Sequence, residues 1–408
     1  MQNKLRRDGQ MVGERAAAVN AVSRRPLRAE GAIDIGPALE CSWVTTLSGR
    51  PYPIQFRNQG AIDAWTRALG KTEVWQRWQD PGTLCWQIRQ EVLRQLERVE
   101  LLSPESAEMA QVVADDQRRL AVDISTNLKY HLNQGMVIET TAALETLLAN
   151  SDVDLSLPMS MVAPPYRAQY LRFGEVATRY LKVPASQASD RCFDGVFCFL
   201  TPHSGTCAPG EPCWTLELVF VTKRQDRYSG YVSLLGETDR GSATVGEWLS
   251  GILLAFVGQS EDEFHQPMHA AVSYVVRVFL YMALAQARVV EHAEYDEALR
   301  RAAGLGSRKR AKLLQRSASL YNSILVGPES STLTAAAGGT GHSVAAHWRR
   351  GHFRMQPHGA GNQQRKLVFI APVLIRAEYL QGEVPAPKSY RAGAVEATGA
   401  SSRFIGTK

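Results

Sequence analysis

Between residues 150 and 165 the apolar residues change from a helical to a strand-like period, and that switch limits the architectures open to the chain. Before the switch, Trp65, Trp75, Trp78 and Trp86 open a tryptophan-rich stretch expected to lie in a core, and Val92, Leu93, Leu96 and Val99 recur at helical spacing. Ser103-Pro104 supplies an N-cap followed by proline in the first turn. It predicts a helix through Met109, Val112, Leu120 and Ile124 toward His131, with a shorter helix over 141–148. After the switch, short β-rich runs at 166–173, 193–200, 214–221 and 230–235 alternate with Gly/Pro-rich loops and are expected to pair as an antiparallel sheet. Thr244-x-x-Glu247 fits a capping box that launches a helix over 248–257, and a long helix is expected over 267–303. The fold class is therefore α+β: a helical N-terminal unit, then an antiparallel sheet with packed helices and a C-terminal basic β-hairpin.

At 408 residues the chain has room for two folded units with linkers. The expected segments are a flexible basic arm (1–30), a mainly helical domain (31–155), an α+β domain (156–303), a basic linker (304–343), the Arg/His hairpin completing the α+β domain (344–380) and a frayed tail (381–408). The apolar stretch 271–290 is interrupted by Ser273, Arg277, Gln286 and Arg288, so it reads as a buried helix rather than a membrane span. The arm lacks the apolar core of a secretory signal, and its Asp8, Glu14 and Glu30 argue against a transit peptide. Six cysteines are too few for a disulfide scaffold. A cytoplasmic protein with no membrane partner is expected.

The formal charge of +6 hides an asymmetry. Residues 301–366 hold eleven Lys/Arg and one acid, Glu329, whereas residues 31–300 carry a net charge of −10. A basic C-terminal region on an acidic body points to an anionic partner, nucleic acid being the commonest, with pairing onto the chain's own acidic body as the competing account.

The most distinctive segment runs from His347 to Arg354. Period two places Trp348, Arg350, His352 and Arg354 on one face of a regular strand and His347, Arg349 and Phe353 on the other. A return strand begins at Arg365-Lys366, with Gly359 in the turn and Pro372 at a strand end. Guanidinium groups on such a ribbon would grip phosphate oxygens while Trp348 or Phe353 stacks on a base; the bland account has both aromatics packed inward. His347 and His352 could serve a metal-independent ribonuclease as acid and base, but a regular strand sets them on opposite faces and only a bulge at Gly351 would join them.

Two weaker constellations stand apart. Cys192, Cys198, Cys207 and Cys213, with His203, could be drawn as a zinc site, but gaps of five residues do not suit the usual knuckles, and buried thiols are the simpler account. His265 and His269 have helical spacing with Pro267 between them, which fits a helix start. No phosphate-binding glycine loop, nucleophile elbow or dinucleotide fingerprint is present, and no cofactor is expected.

His347-x-Arg349-Arg350-Gly351-His352, followed by Gly359, Arg365 and Pro372, resembles the C-terminal signature of the type V-A anti-CRISPR family AcrVA-two and its plasmid and phage relatives. The resemblance covers 347–375. It implies a mobile-element inhibitor that lowers production of the type V-A CRISPR effector nuclease by recognising the effector's nascent N-terminal polypeptide and triggering loss of its mRNA. The implied partners are that polypeptide, RNA or ribosome-associated mRNA, and a recruited host ribonuclease. Two alternatives stay open: an RNA- or DNA-binding mobile-element protein with no link to CRISPR, and the ribonuclease.

Overall fold

The computed structural model describes residues 34–42, 49–98, 107–162, 164–184, 191–203, 213–224, 227–238, 243–254, 264–317, 319–330, 335–336 and 347–375. The expected arm (1–30), the tail (381–408), Ser103-Pro104, Cys207 and the ends of the hairpin segment (344–346 and 376–380) lie outside the described residues.

Six helices come first: α1 (Gly36–Glu40), α2 (Tyr52–Asn58), α3 (Ala61–Leu69), α4 (Glu73–Gln79), α5 (Cys85–Arg98) and α6 (Ala107–Leu132). Thr72 caps α4 by accepting the Trp75 amide, and the last turn of α6 carries Lys129 and His131, which reach Thr83 O and Pro53 O respectively. Next come β1 (Met136–Thr140), α7 (Ala142–Ala149), β2 (Ser151–Val153), β3 (Ala168–Arg172) and α8 (Glu175–Tyr180). Three long strands follow, β4 (Arg191–His203), β5 (Cys213–Arg224) and β6 (Arg227–Thr238), then α9 (Val245–Leu254) and α10 (Gln266–Met282). The capping box at α9 forms in full: Glu247 accepts the Thr244 amide at 2.8 Å and donates its own amide to Thr244 Oγ1 at 3.2 Å.

The expected helix over 267–303 is in fact three elements. It stops at Met282, gives way to β7 (Val289–His292) and resumes as α11 (Glu294–Ala303). Val289 and Val290 are β-branched and suit an edge strand, while Glu294, Asp296 and Glu297 give α11 an acidic first turn of its own. The region read as a linker holds α12 (Ser307–Ser317) and a sheet strand, β8 (Ser323–Val326), with β9 (Ala335–Ala336) beyond it.

The main sheet has seven strands in the order β6-β5-β4-β3-β1-β8-β7. It is mostly antiparallel, with a parallel centre where β1 pairs with both β3 and β8. Parallel neighbours need a crossover, and α7 lies on the one from β1 to β3.

Each face of this sheet carries its own core. On one face α10 lies at the centre of a cluster containing Ile138, Leu171, Val196, Leu218 and Phe220, with Phe353 contributed from the C-terminal segment. On the other, the N-terminal helices bury Trp65, Trp75 and Trp78 against Tyr170, Phe197, Phe199, Val219 and Val221. Trp86, expected in the core, is 43% exposed because it begins α5 facing outward. Alternation along β4 sends Phe197 and Phe199 to the helical side and Val196 and Cys198 to the other. A bulge at Asp194 breaks that alternation and returns Phe193 to the α10 side.

Among the described residues no helix is long and apolar enough to cross a membrane. The apolar run around Ala271 is α10, buried along most of its length.

Candidate functional site

The C-terminal segment forms two small sheets rather than one ribbon. The strand β10 (His347–Arg349) pairs antiparallel with β13 (Val373–Ile375), which also pairs with β9. After Arg350 the chain changes partners: β11 (Gly351–His358) pairs antiparallel with β12 (Gln364–Ile370) and parallel with β2. The single strand expected across Arg350 is therefore broken there, and its period does not carry from Trp348 to His352. His347, opposite Ile375, and His352, opposite Asp152 and Ile370, fall on different sheets.

Gly351 and Pro372 explain each other. A Cβ on Gly351 would stand 2.6 Å from the Ile370 carbonyl oxygen, 2.6 Å from Ser151 Oγ and 2.7 Å from Pro372 Cδ. The spacing in the sequence thus records a close backbone crossing, where the Gly351 amide also donates to Asn150 O at 3.0 Å. Gly359 turns the hairpin with φ of +79°, a left-handed conformation open to glycine. Arg350 does not join the outer face, since its guanidinium pairs with Asp152 on β2.

Within β11 the alternation is regular. Gly351, Phe353 and Met355 point to the core, where Phe353 is fully buried and its ring lies 4.6 Å from Phe369. Phe353 is accordingly a packing residue, not a base-stacking one. His352, Arg354, Gln356 and His358 occupy the opposite face, and the register places Lys366 across from Gln356 and diagonal to Arg354. Arg354 and Lys366 are exposed there, as are Arg349 on β10 and Arg365 at the start of β12, while Trp348 is half-buried. Four of the anticipated cations are thus at the surface and the fifth is tied down.

Arg277, read from the sequence only as an obstacle to membrane insertion, fixes this platform. It is 7% exposed on α10, and its guanidinium donates to Leu148 O at the end of α7 and to Ser151 O at the start of β2. The guanidinium thereby ties the C-terminal end of α7 to the first residue of β2. The same turn supplies β2, onto which β11 pairs. Periodicity gives no sign of such a role, because a lone arginine among apolar residues looks the same whether it meets solvent or a buried carbonyl.

A second feature lay beyond sequence reasoning altogether. At the carboxyl ends of β1 and β3, with Leu325 of β8 beside them, a cleft of about 510 Å³ is lined by Glu139, Thr140, Arg172, Gly174, Arg179 and Lys223, among others. In open sheets ligands favour such strand ends, but the rule can be applied only once the parallel pairing is known. Arg172 bonds Glu139 at 3.1 Å, and Lys223 bonds the bulged Asp194 at 2.9 Å. Burial works against the Arg172 charge, and Glu139 outweighs it, so its pKa lies above the ordinary value. Tyr170 donates to Asp194 at 2.6 Å, and burial followed by that carboxylate pushes its phenol well up.

Among the described residues no group of three or more His, Cys, Asp or Glu could hold a metal ion. Cys192 and Cys198 are free thiols on β4, and burial raises both. His265 stands at the N-cap of α10 with Pro267 in the first turn, and burial lowers the pKa of His269.

A search of curated proteins finds no match. A crystal structure of AcrVA2 is similar over 77% of this chain and 97% of that chain, at 12% identity and a TM-score of 0.39, too distant to carry an argument. The sequence profile of the AcrVA2-like family, described as the anti-CRISPR type V subtype A2 family, matches residues 138–377. That span runs from β1 through the whole Gly351–Pro372 crossing and covers more than half of the 408 residues, so the chain belongs to the anti-CRISPR type V subtype A2 family.

Proposed function

We propose that this protein inhibits type V-A CRISPR immunity by lowering production of the effector nuclease, recognising the effector's nascent N-terminal polypeptide and causing loss of its mRNA. The observation that carries the proposal is the family span ending at residue 377, which contains a hairpin whose inner face is spent on packing and whose outer face presents Arg354 and Lys366 to solvent. Exposed, forked guanidinium groups suit the phosphates of an mRNA. The cleft beside Glu139 and Arg172, with donors and acceptors of both signs, is the candidate place for a polypeptide segment. The fate of the mRNA is assigned to a recruited host ribonuclease, since His347 and His352 stand on separate sheets.

The test is co-expression with a type V-A effector, following effector mRNA and protein by quantitative PCR and immunoblot. Wild type should lower both, and R349E/R354E/K366E should lower neither while remaining folded. Undiminished effector mRNA with the wild-type chain, or full knock-down by the triple variant, would overturn the proposal.

A further inference from the structure

A dense run of positive charge on the described surface lies away from the hairpin. Adjacent antiparallel strands can be joined by two residues, yet β7 and β8 are separated by residues 293–322, which hold α11 and α12 around the turn Gly304-Leu305-Gly306. The base of this insertion is anchored. Arg57 of α2 lies over the Tyr295 ring at 3.9 Å and donates to Leu320 O at 2.5 Å, and Asn322 Oδ1 accepts the amides of Tyr295 and Asp296, both at 3.2 Å.

Its far end is of a different character. Arg308, Lys309, Arg310, Lys312 and Arg316 are all exposed on α12, which contains no acid, and Arg300 is exposed in the last turn of α11. Among the described residues none of these six makes an ion pair. The acidic body does not neutralise them, unlike Arg350, which Asp152 holds. Arg308, Lys312 and Arg316 recur every fourth residue and so form one stripe, with about 6 Å of helix rise between neighbours. A membrane surface would call for an apolar face opposite the charge. Here Leu313 and Leu314 are half-buried, and the rest of the exposed helix is polar or alanine.

We infer that α12, presented on its anchored helical pair, is a second nucleic-acid contact that grips the phosphate backbone of RNA without reading sequence. Only the choice of RNA as the occupant rests on the proposed function; the surface itself does not. Phosphate contacts of this kind set affinity and its salt dependence, and position a partner that other residues identify.

The experiment uses the purified full chain and fluorescence anisotropy with labelled single-stranded RNA, duplex RNA and duplex DNA of matched sequence, over a salt series, with phosphatidylserine vesicles as a separate arm. Wild type should bind RNA. R308E/K312E/R316E should weaken that binding at least tenfold at about 100 mM salt for every RNA sequence, and flatten the slope of log affinity against log salt by about 2. The neutral R308Q/K312Q/R316Q should fall between, and it decides the matter if the charge reversal impairs folding. Unchanged affinity and slope in both variants would overturn the inference, as would wild-type binding to vesicles but not RNA, or equal binding to duplex DNA. If these variants lose RNA binding while wild type leaves effector mRNA untouched in cells, the surface stands and the proposed function falls.

Discussion

The N-terminal helical layer and the C-terminal hairpin handle charge in opposite ways. On the N-terminal side Lys129 and Glu217 are drawn into the interior and satisfied there. Lys129 is buried, donating to Thr83 O and to Thr201 Oγ1, and burial lowers its pKa while Glu217 pulls it back up. Glu217 in turn accepts the amides of Cys85 and Trp86, closing the start of α5. On the other side, the C-terminal hairpin sends Phe353 inward and leaves Arg354 and Lys366 in water. A buried charge that has its hydrogen bonds serves position, whereas an exposed cation without a partner stays available for a ligand. The family span begins at Ile138, so the helical layer lies outside it, yet that layer covers Tyr170, Phe197 and Val219, which would otherwise be an exposed apolar sheet face.

The comparison is broken most forcefully by removing a large side chain from each core. Trp65→Ala and Phe353→Ala should each cost about 3–5 kcal/mol in urea unfolding. Because β4 sends Phe197 to one core and Val196 to the other, both variants should unfold in a single transition. Hydrogen exchange resolves the point: if Trp65→Ala opens residues 52–98 while 351–370 keep wild-type protection, the two faces are independent units.

Gly351→Ala comes next. The added methyl meets the Ile370 carbonyl and the Pro372 ring, neither of which can swing away, so a loss of about 2 kcal/mol is expected, read from the urea midpoint. Gly359→Ala strains a turn and meets only the flexible side chain of Gln364, so it should cost less.

What the sequence disclosed and what it hid follow from the range of each interaction. The α9 capping box is chemistry among residues three apart and is found as expected, and the short helix expected over 141–148 is found as α7, with Thr141 as its cap. The hairpin was legible through its glycine, its proline and its cations. Three features were not: β1 is five residues squeezed between helices, β8 was hidden in a basic stretch, and the change of partner at Arg350 depends on β2, about two hundred residues earlier in the chain. The cleft required the parallel centre of the sheet, which rests entirely on pairings distant in sequence. The expected cationic face was half right. Arg354 and His352 share it, but Arg350 faces Asp152, because period two holds only while a strand keeps its partners.

A smaller effect in the helical layer should appear with pH. His131, in the last turn of α6, donates through Nε2 to Pro53 O at 2.8 Å, and burial lowers its pKa from 6.5 to about 4. The unfolded chain therefore takes up this proton first as pH falls. The His131 contribution to stability should be flat above pH 7 and decline from about pH 6.5 to 4, by about 1–2 kcal/mol, less than the full shift implies because the residue is only partly buried. His131→Gln should remove that part of the slope, measured as the urea midpoint against pH. Wild type and variant with the same slope would show that the ring protonates without opposing the fold.

The smallest energetic effect is the most informative about the hairpin. The Arg350–Asp152 pair is partly exposed, so Asp152→Ala should cost no more than about 1 kcal/mol. Its value lies in what it does to Arg350. If the arginine acts by holding β11 to β2, Asp152→Ala and Arg350→Ala should impair mRNA knock-down to the same degree, and the double variant should be no worse than either. If Arg350 instead reaches RNA, Asp152→Ala releases it, knock-down holds or improves, and only Arg350→Ala is defective. The first pattern would class the signature's second arginine with Lys129 and Arg277 as a charge spent on position; the second would return it to the open face with Arg354.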